Sequence, residues 1–182
     1  MPAKVERNAT TPAIDPDTRI GHVHLKVANL ERAIKFYCGV LGFEITQRLG
    51  DGAAFLSAGG YHHHIALNTW ESLNGSPPEP GTTGLYHTAI VYPTRAALAT
   101  ALRRVLDAGI PLDGAADHGV SESIYLRDPD DNGVELYCDK PKDSWPRSKD
   151  GMLAMYTRRL NINELLNEPT SALDLSAGPQ DL

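Results

Sequence analysis

The chain has 182 residues, 41% of them hydrophobic and 22% charged, with a formal net charge of -6 at pH 7. That length and apolar content suit one ordinary globular domain, and the acidic balance excludes an electrostatic footprint for nucleic acid. Cys38 and Cys138 make neither a CxxC pair nor a disulfide framework, and the chain shows no membrane span and no apolar leader, so a protein of the reducing cytoplasm is expected.

Residues 1–18 are polar and contain proline, and read as a flexible N-terminal arm. From Arg19 to Val27, the residues Val23, Leu25 and Val27 alternate with His22, His24 and Lys26. This is a strand with one apolar and one imidazole-bearing face. Asn29 is suited to cap a helix whose apolar positions are Leu30, Ala33, Ile34, Tyr37 and Leu41, with Gly42 as its stop. Strands are predicted over 43–49, 53–57 and 61–68, separated by Asp51-Gly52 and Gly59-Gly60 turns. Residues 69–84, with Pro77, Pro78 and Pro80 among several glycines, read as a linker. The order then repeats. A strand over 85–92 leads to a helix capped by Thr94, carrying Leu98, Leu102, Val105 and Leu106, and ending at Gly109. Strands over 111–118, 122–127 and 133–139 follow.

Two βαβββ modules in one chain are an internal repeat. The fold class expected is α+β: modules 19–68 and 85–139 pair edge to edge into a curved mixed sheet around a cleft, within a domain spanning 19–140. The extension 141–182 carries Leu153, Tyr156, Leu160 and Leu165 at spacings that predict a C-terminal helix over 152–166, followed by a loose tail.

The repeat puts His22 and His87 at matched places near the start of each first strand, and Glu135 opposite Ala66 in the matched last strands. Asp128-Pro129 opens a tight turn and Asn132-Gly133 closes it, because proline presets φ and Asn-Gly tolerates positive φ. That turn fixes where Glu135 starts and which face it points to. Two imidazoles and one carboxylate suit a divalent first-row metal. As a facial triad they leave three positions open, the arrangement of non-haem Fe(II) oxygenases. Ala66 cannot supply a fourth ligand. The alternative, a polar histidine satisfied on a half-exposed sheet, suits any one of these residues but not their matched placement. His62 and His64 share the face of Ala66 and are candidate substrate-binding residues, whereas His63 points the other way. Cys38 and Cys138 lie away from the histidine face and read as small thiols rather than ligands.

The chain resembles the vicinal oxygen chelate superfamily, also called the glyoxalase/bleomycin-resistance/extradiol-dioxygenase superfamily. The likeness rests on Gly21-His22-Val23-His24-Leu25-Lys26-Val27, on Asn29 to Ala33 through Phe36-Tyr37 to Leu41-Gly42-Phe43, on Leu85-Tyr86-His87, and on Asp128-Pro129 through Asn132-Gly133-Val134-Glu135. Within the superfamily the Tyr61 to Trp70 run is most similar to catechol 2,3-dioxygenase-like proteins. The resemblance implies metal ligands His22, His87 and Glu135, an acid/base histidine at His118 and a hydrogen-bonding tyrosine at Tyr125. It implies Fe(II), with Mn(II) an alternative on the same ligands, a small catechol-like aromatic diol and dioxygen as substrates, and ring cleavage as the reaction. A homodimer is expected for a symmetric soluble protein. The competing readings are a glyoxalase-type or other metal-dependent enzyme of the same superfamily, and a metal-free protein that sequesters a flat drug.

Overall fold

The computed structural model of the chain describes residues 12–170. Residues 1–11 of the arm expected over 1–18, and the tail beyond 170, lie outside them. The first module runs β1 (Val23–Lys26), α1 (Leu30–Ile34), β2 (Glu44–Leu49), β3 (Ala53–Ser57) and β4 (Ile65–Asn68). The second runs β5 (Thr88–Val91), α2 (Arg95–Asp107), β6 (Leu112–Asp117), β7 (Ser121–Arg127) and β8 (Gly133–Asp139). A two-residue strand β9 (Arg158–Arg159) and a short helix α3 (Ile162–Leu166) follow.

The repeat is real in three dimensions. The strand orders are β1-β4-β3-β2 and β5-β8-β7-β6-β9. In each sheet the first strand of the module pairs in parallel with its last, β1 with β4 and β5 with β8, and the other core pairings are antiparallel. The fold is α+β, with mixed sheets. The two sheets are separate: β1 and β5 are edge strands, each hydrogen-bonded on one side only within this topology.

Asn29 caps α1 through Arg32 N, and Thr94 caps α2 through Ala97 N, as their side chains allow. After Ile34 the first helix widens into a π-helical stretch, Lys35–Val40. Leu30, Ala33, Ile34 and Tyr37 from this helix and Leu98, Leu102 and Val105 from α2 join Leu56, Leu67, Ile124 and Leu136 of the sheets in one buried cluster. The two modules therefore share a core.

The Asp-Pro turn locks the modules together. Asp128 is buried and accepts from the Tyr37 hydroxyl at 2.9 Å, from Asp130 N and Asn132 N at 2.9 Å each, and from Asn132 Nδ2 at 3.0 Å. Asp130 accepts from Ala28 N at 3.0 Å and from the Arg32 guanidinium at 2.6 Å. Burial, followed by the Asp128 carboxylate, holds the Tyr37 phenol well above its ordinary pKa, so Tyr37 stays a donor.

Two expectations are corrected. The positive φ in the turn falls on Asp131, at 65°, and not on the Asn132-Gly133 pair. Gly133 is needed for another reason, close approach: a Cβ there would run into the Tyr86 carbonyl oxygen and the His87 Cβ and Cα. The helix expected over 152–166 forms only over Ile162–Leu166. Arg147 bridges Leu153, and Arg158–Arg159 pairs with the open edge of β6, so sheet pairing takes the backbone that the apolar spacing assigned to a helix. Leu160 and Leu165 still reach the core.

Candidate active site

A cavity of about 370 Å³ opens over the second sheet, with Tyr86, His87, His118, Tyr125, Arg127 and Thr157 among its lining residues. The ladder explains the grouping. Glu135 on β8 stands directly opposite Tyr125 on β7 and opposite Ala89 on β5. His87 precedes β5 and lies two residues before Ala89, on the same face. Gly133 lets that backbone close on the start of β8.

The side chains form one chain of contacts. His87 Nε2 lies 2.9 Å from Glu135 Oε2. The Tyr125 hydroxyl lies 3.1 Å from Glu135 Oε1 and 2.6 Å from His118 Nε2. A phenol has one proton, so Tyr125 donates to one of these two at a time. Burial raises the Tyr125 pKa above its ordinary value, and the Glu135 carboxylate adds to it against an opposing polar contact with Ser123, which keeps Tyr125 a neutral donor. At the cavity edge Arg127 donates to Asp113 at 2.7 Å.

The donor set can be tested against a first-row divalent ion. Two ligands about 2.1 Å from such an ion, at a right angle, stand about 3.0 Å apart. The His87–Glu135 separation of 2.9 Å fits two adjacent corners of such a site. Among the described residues no three His, Cys, Asp or Glu side chains gather to hold an ion. His22 immediately precedes β1 of the other sheet, its ring 4.4 Å from that of His63.

The remaining histidines belong to the first module, and of them only His24 lies in a strand, β1. His62 and His64 precede β4 rather than sitting in it, because the strand begins at Ile65. His64 Nδ1 closes the β3–β4 connection with Ser57 Oγ at 3.2 Å and Ala58 N at 3.3 Å. His62 Nδ1 meets His63 Nδ1 at 2.8 Å. Neither His62 nor His64 lines the cavity that holds His87. His24 Nε2 meets Asn68 Nδ2 at 2.8 Å. Burial, then the surrounding imidazoles led by His22, push the His63 pKa down.

Comparison with known proteins bears on this geometry. The family model described as the Glyoxalase/Bleomycin resistance protein/Dioxygenase superfamily matches residues 19–136. The chain belongs to that superfamily. It is 42% identical over 156 residues to the catechol-2,3-dioxygenase of Bacillus subtilis (strain 168), covering 86% of this chain and 54% of that one. It is 36% identical over 123 residues to biphenyl-2,3-diol 1,2-dioxygenase 3 of Rhodococcus globerulus, covering 66% and 63%. The chain thus spans between half and two thirds of these superfamily relatives' own length. Among solved structures, a glyoxalase/dioxygenase from Nostoc punctiforme matches 73% of this chain and 100% of its own at a TM-score of 0.59, with 19% identity, which speaks to the superfamily fold. The superfamily match ends at residue 136, yet Thr157 from the extension lines the cavity. Nothing in the sequence marked Thr157, because its segment read as helix.

Proposed function

We propose that this protein is a ring-cleaving (extradiol) dioxygenase acting on a catechol-like aromatic diol, with Fe(II) as its metal. The observation that carries the proposal is the His87–Glu135 pair at 2.9 Å, with Tyr125 and His118 hydrogen-bonded in series beside it. The likeness to catechol and biphenyl-diol dioxygenases supplies the reaction class. His87 Nε2 and Glu135 Oε2 would hold the ion, with His22 as the third ligand; Mn(II) fits the same donors. When bound, the ion supplies Lewis acidity and the redox chemistry that dioxygen requires.

The chain's own residues do the rest. His118 offers a nitrogen within reach of a diol proton and can return that proton later. Tyr125 orients a substrate oxygen and connects it to His118. Tyr86 and Thr157 wall the cavity, and holding the diol against this row removes part of the entropic barrier.

The proposal includes a cytoplasmic homodimer. Asp128 and Asp130 tie the two modules to each other, and His22 of the same chain packs on His63 rather than joining the His87–Glu135 pair. The edge strands β1 and β5 are flanked by Ile20, 97% exposed, and by Tyr86, 84% exposed, with Leu85 and Val91 also open. Such apolar exposure suits a subunit contact. His22 of a second copy completes the ligand set there.

The test compares wild type with Glu135→Gln, both purified without oxygen. Wild type is expected to retain about one iron per site and to turn a catechol into a yellow ring-fission product in air. The variant is expected to lose both. Unchanged iron content in Glu135→Gln, or a metal-free wild type that binds flat aromatics without cleaving them, contradicts the proposal.

A further inference from the structure

The extension beyond the superfamily match runs along the β6–β7 turn and gives the cavity Thr157. Trp145 Nε1 donates to the Lys140 carbonyl at 2.8 Å and anchors the start of the segment. Ala154 N donates to the Pro146 carbonyl at 2.9 Å and Ser148 N to the Met152 carbonyl at 2.8 Å, closing a hairpin. The chain then runs along the β6–β7 turn. Tyr156 N donates to the His118 carbonyl at 3.3 Å, Arg158–Arg159 pairs with Ala116–Asp117, and Leu160 N donates to the Ala115 carbonyl at 3.3 Å. Arg158 lies over the Tyr156 ring at 4.2 Å. The turn below is cut to receive this strap. Gly119 has a φ of 79°, and a Cβ there would meet the Tyr156 ring at 2.7 Å and Pro146 at 2.8 Å.

Two oxygens of the strap converge on one nitrogen. The Tyr156 carbonyl lies 3.1 Å from His118 Nδ1, and Thr157 Oγ1 lies 3.2 Å from it. A carbonyl can only accept. The proton of the neutral imidazole therefore sits on Nδ1, and Thr157 serves as its second acceptor. Nε2 is left with the lone pair, aimed at the Tyr125 hydroxyl at 2.6 Å.

We propose that the strap over residues 145–160 is a positioning element that fixes the tautomer and orientation of His118, with Thr157 and Gly119 as its positioning residues. This deepens the dioxygenase reading and rests on it for its catalytic meaning: His118 can take a substrate proton only through a nitrogen that carries none. The same strap contributes Thr157 to the wall, so the pocket is shaped by a segment outside the superfamily domain.

The first test does not depend on any reaction. Long-range proton–nitrogen correlation spectra of the ¹⁵N-labelled full chain, treated with EDTA and recorded about two units above the ordinary histidine pKa of ~6.5, report each ring's tautomer. His118 is assigned by its disappearance in His118→Gln. The expected result is protonated Nδ1 and bare Nε2 in wild type and in Thr157→Ser, and a mixture of tautomers in Thr157→Val and Gly119→Ala. Protonated Nε2 in wild type overturns the proposal even if Gly119→Ala fails to fold, and so does an unaltered tautomer in both Thr157→Val and Gly119→Ala. The second test is the kcat and KM split for catechol cleavage. Thr157→Val is expected to lower kcat toward the His118→Gln value, within the roughly 10²–10⁴-fold that a placed acid–base group supplies and by far more than any change in KM, and Thr157→Ser, which keeps the hydroxyl, is expected to recover most of that loss. Equal loss in Thr157→Ser and Thr157→Val overturns the positioning role. Absence of any catechol cleavage in wild type refutes the dioxygenase reading while the imidazole spectra still judge the strap.

Discussion

At Gly133 the strand bearing Glu135 passes so close to the Tyr86 carbonyl that no side chain fits. That approach is what brings His87 to 2.9 Å from Glu135. Gly133→Ala is expected to cost about 1–3 kcal/mol, the range of overpacking in a tight interior, and to weaken iron retention with it. Thermal melts and metal analysis of the variant check both effects. Glu135 and His87 were legible because the repeat matched their positions, and strand alternation gave the face of Glu135. Tyr125 came from family resemblance; its reason is register, since it stands opposite Glu135 across the ladder. His22 shows where matched positions fall short. Equivalence within a repeat says which face a side chain takes in its own sheet, and does not say which sheet faces meet. His62 and His64 were misplaced because the strand was started four residues early; Tyr61 to His64 are spent on the turn, and His64 closes it.

The turn over Asp128 to Asn132 is the element that joins the modules. Its existence was plain from Asp-Pro and Asn-Gly, but its partners were not: Tyr37 and Arg32 lie 91 and 98 residues away in sequence. Tyr37→Phe keeps the ring and removes the donor to Asp128. A loss of about 1.5–3 kcal/mol is expected, the range for a hydrogen bond to a charged group, read as a lower denaturation midpoint with an unchanged slope. The β6–β7 turn depends on a second acidic anchor. Burial pushes the Asp117 carboxyl up, but the Lys140 ammonium at 2.7 Å and the Gly119 N–H outweigh it, and its pKa is lowered overall. A depressed carboxyl stabilises the fold above its unfolded value, near ~3.9, and that contribution is lost as pH falls through the lower folded value. Lys140→Met is therefore expected to melt below wild type at neutral pH, and the gap is expected to close below about pH 4. A gap that persists in acid would assign the effect to packing of the lysine stem instead. The strap itself was hidden from sequence because an edge strand can recruit backbone whatever the side-chain period suggests.

At the scale of the molecule, the repeat predicted two modules and the α+β class, and both are present. The mixed sheet surface is built as two sheets over a shared helical core, with β1 and β5 left as open edges. The proposed ligands are thus divided: His87, just before β5, meets Glu135 on the second sheet, His22 lies just before β1 of the first, and the contact between Tyr125 and His118 is backed by a strap that lies outside the superfamily match. The account stands or falls on where the ion sits. Iron-edge anomalous diffraction from crystals of protein loaded without oxygen measures this directly. The account predicts one strong peak bonded to His87 Nε2 and Glu135 Oε2 at about 2.0–2.2 Å, with a His22 imidazole of a second copy beside it. No peak at that pair, or iron seated instead on the His62–His63 contact, would contradict it.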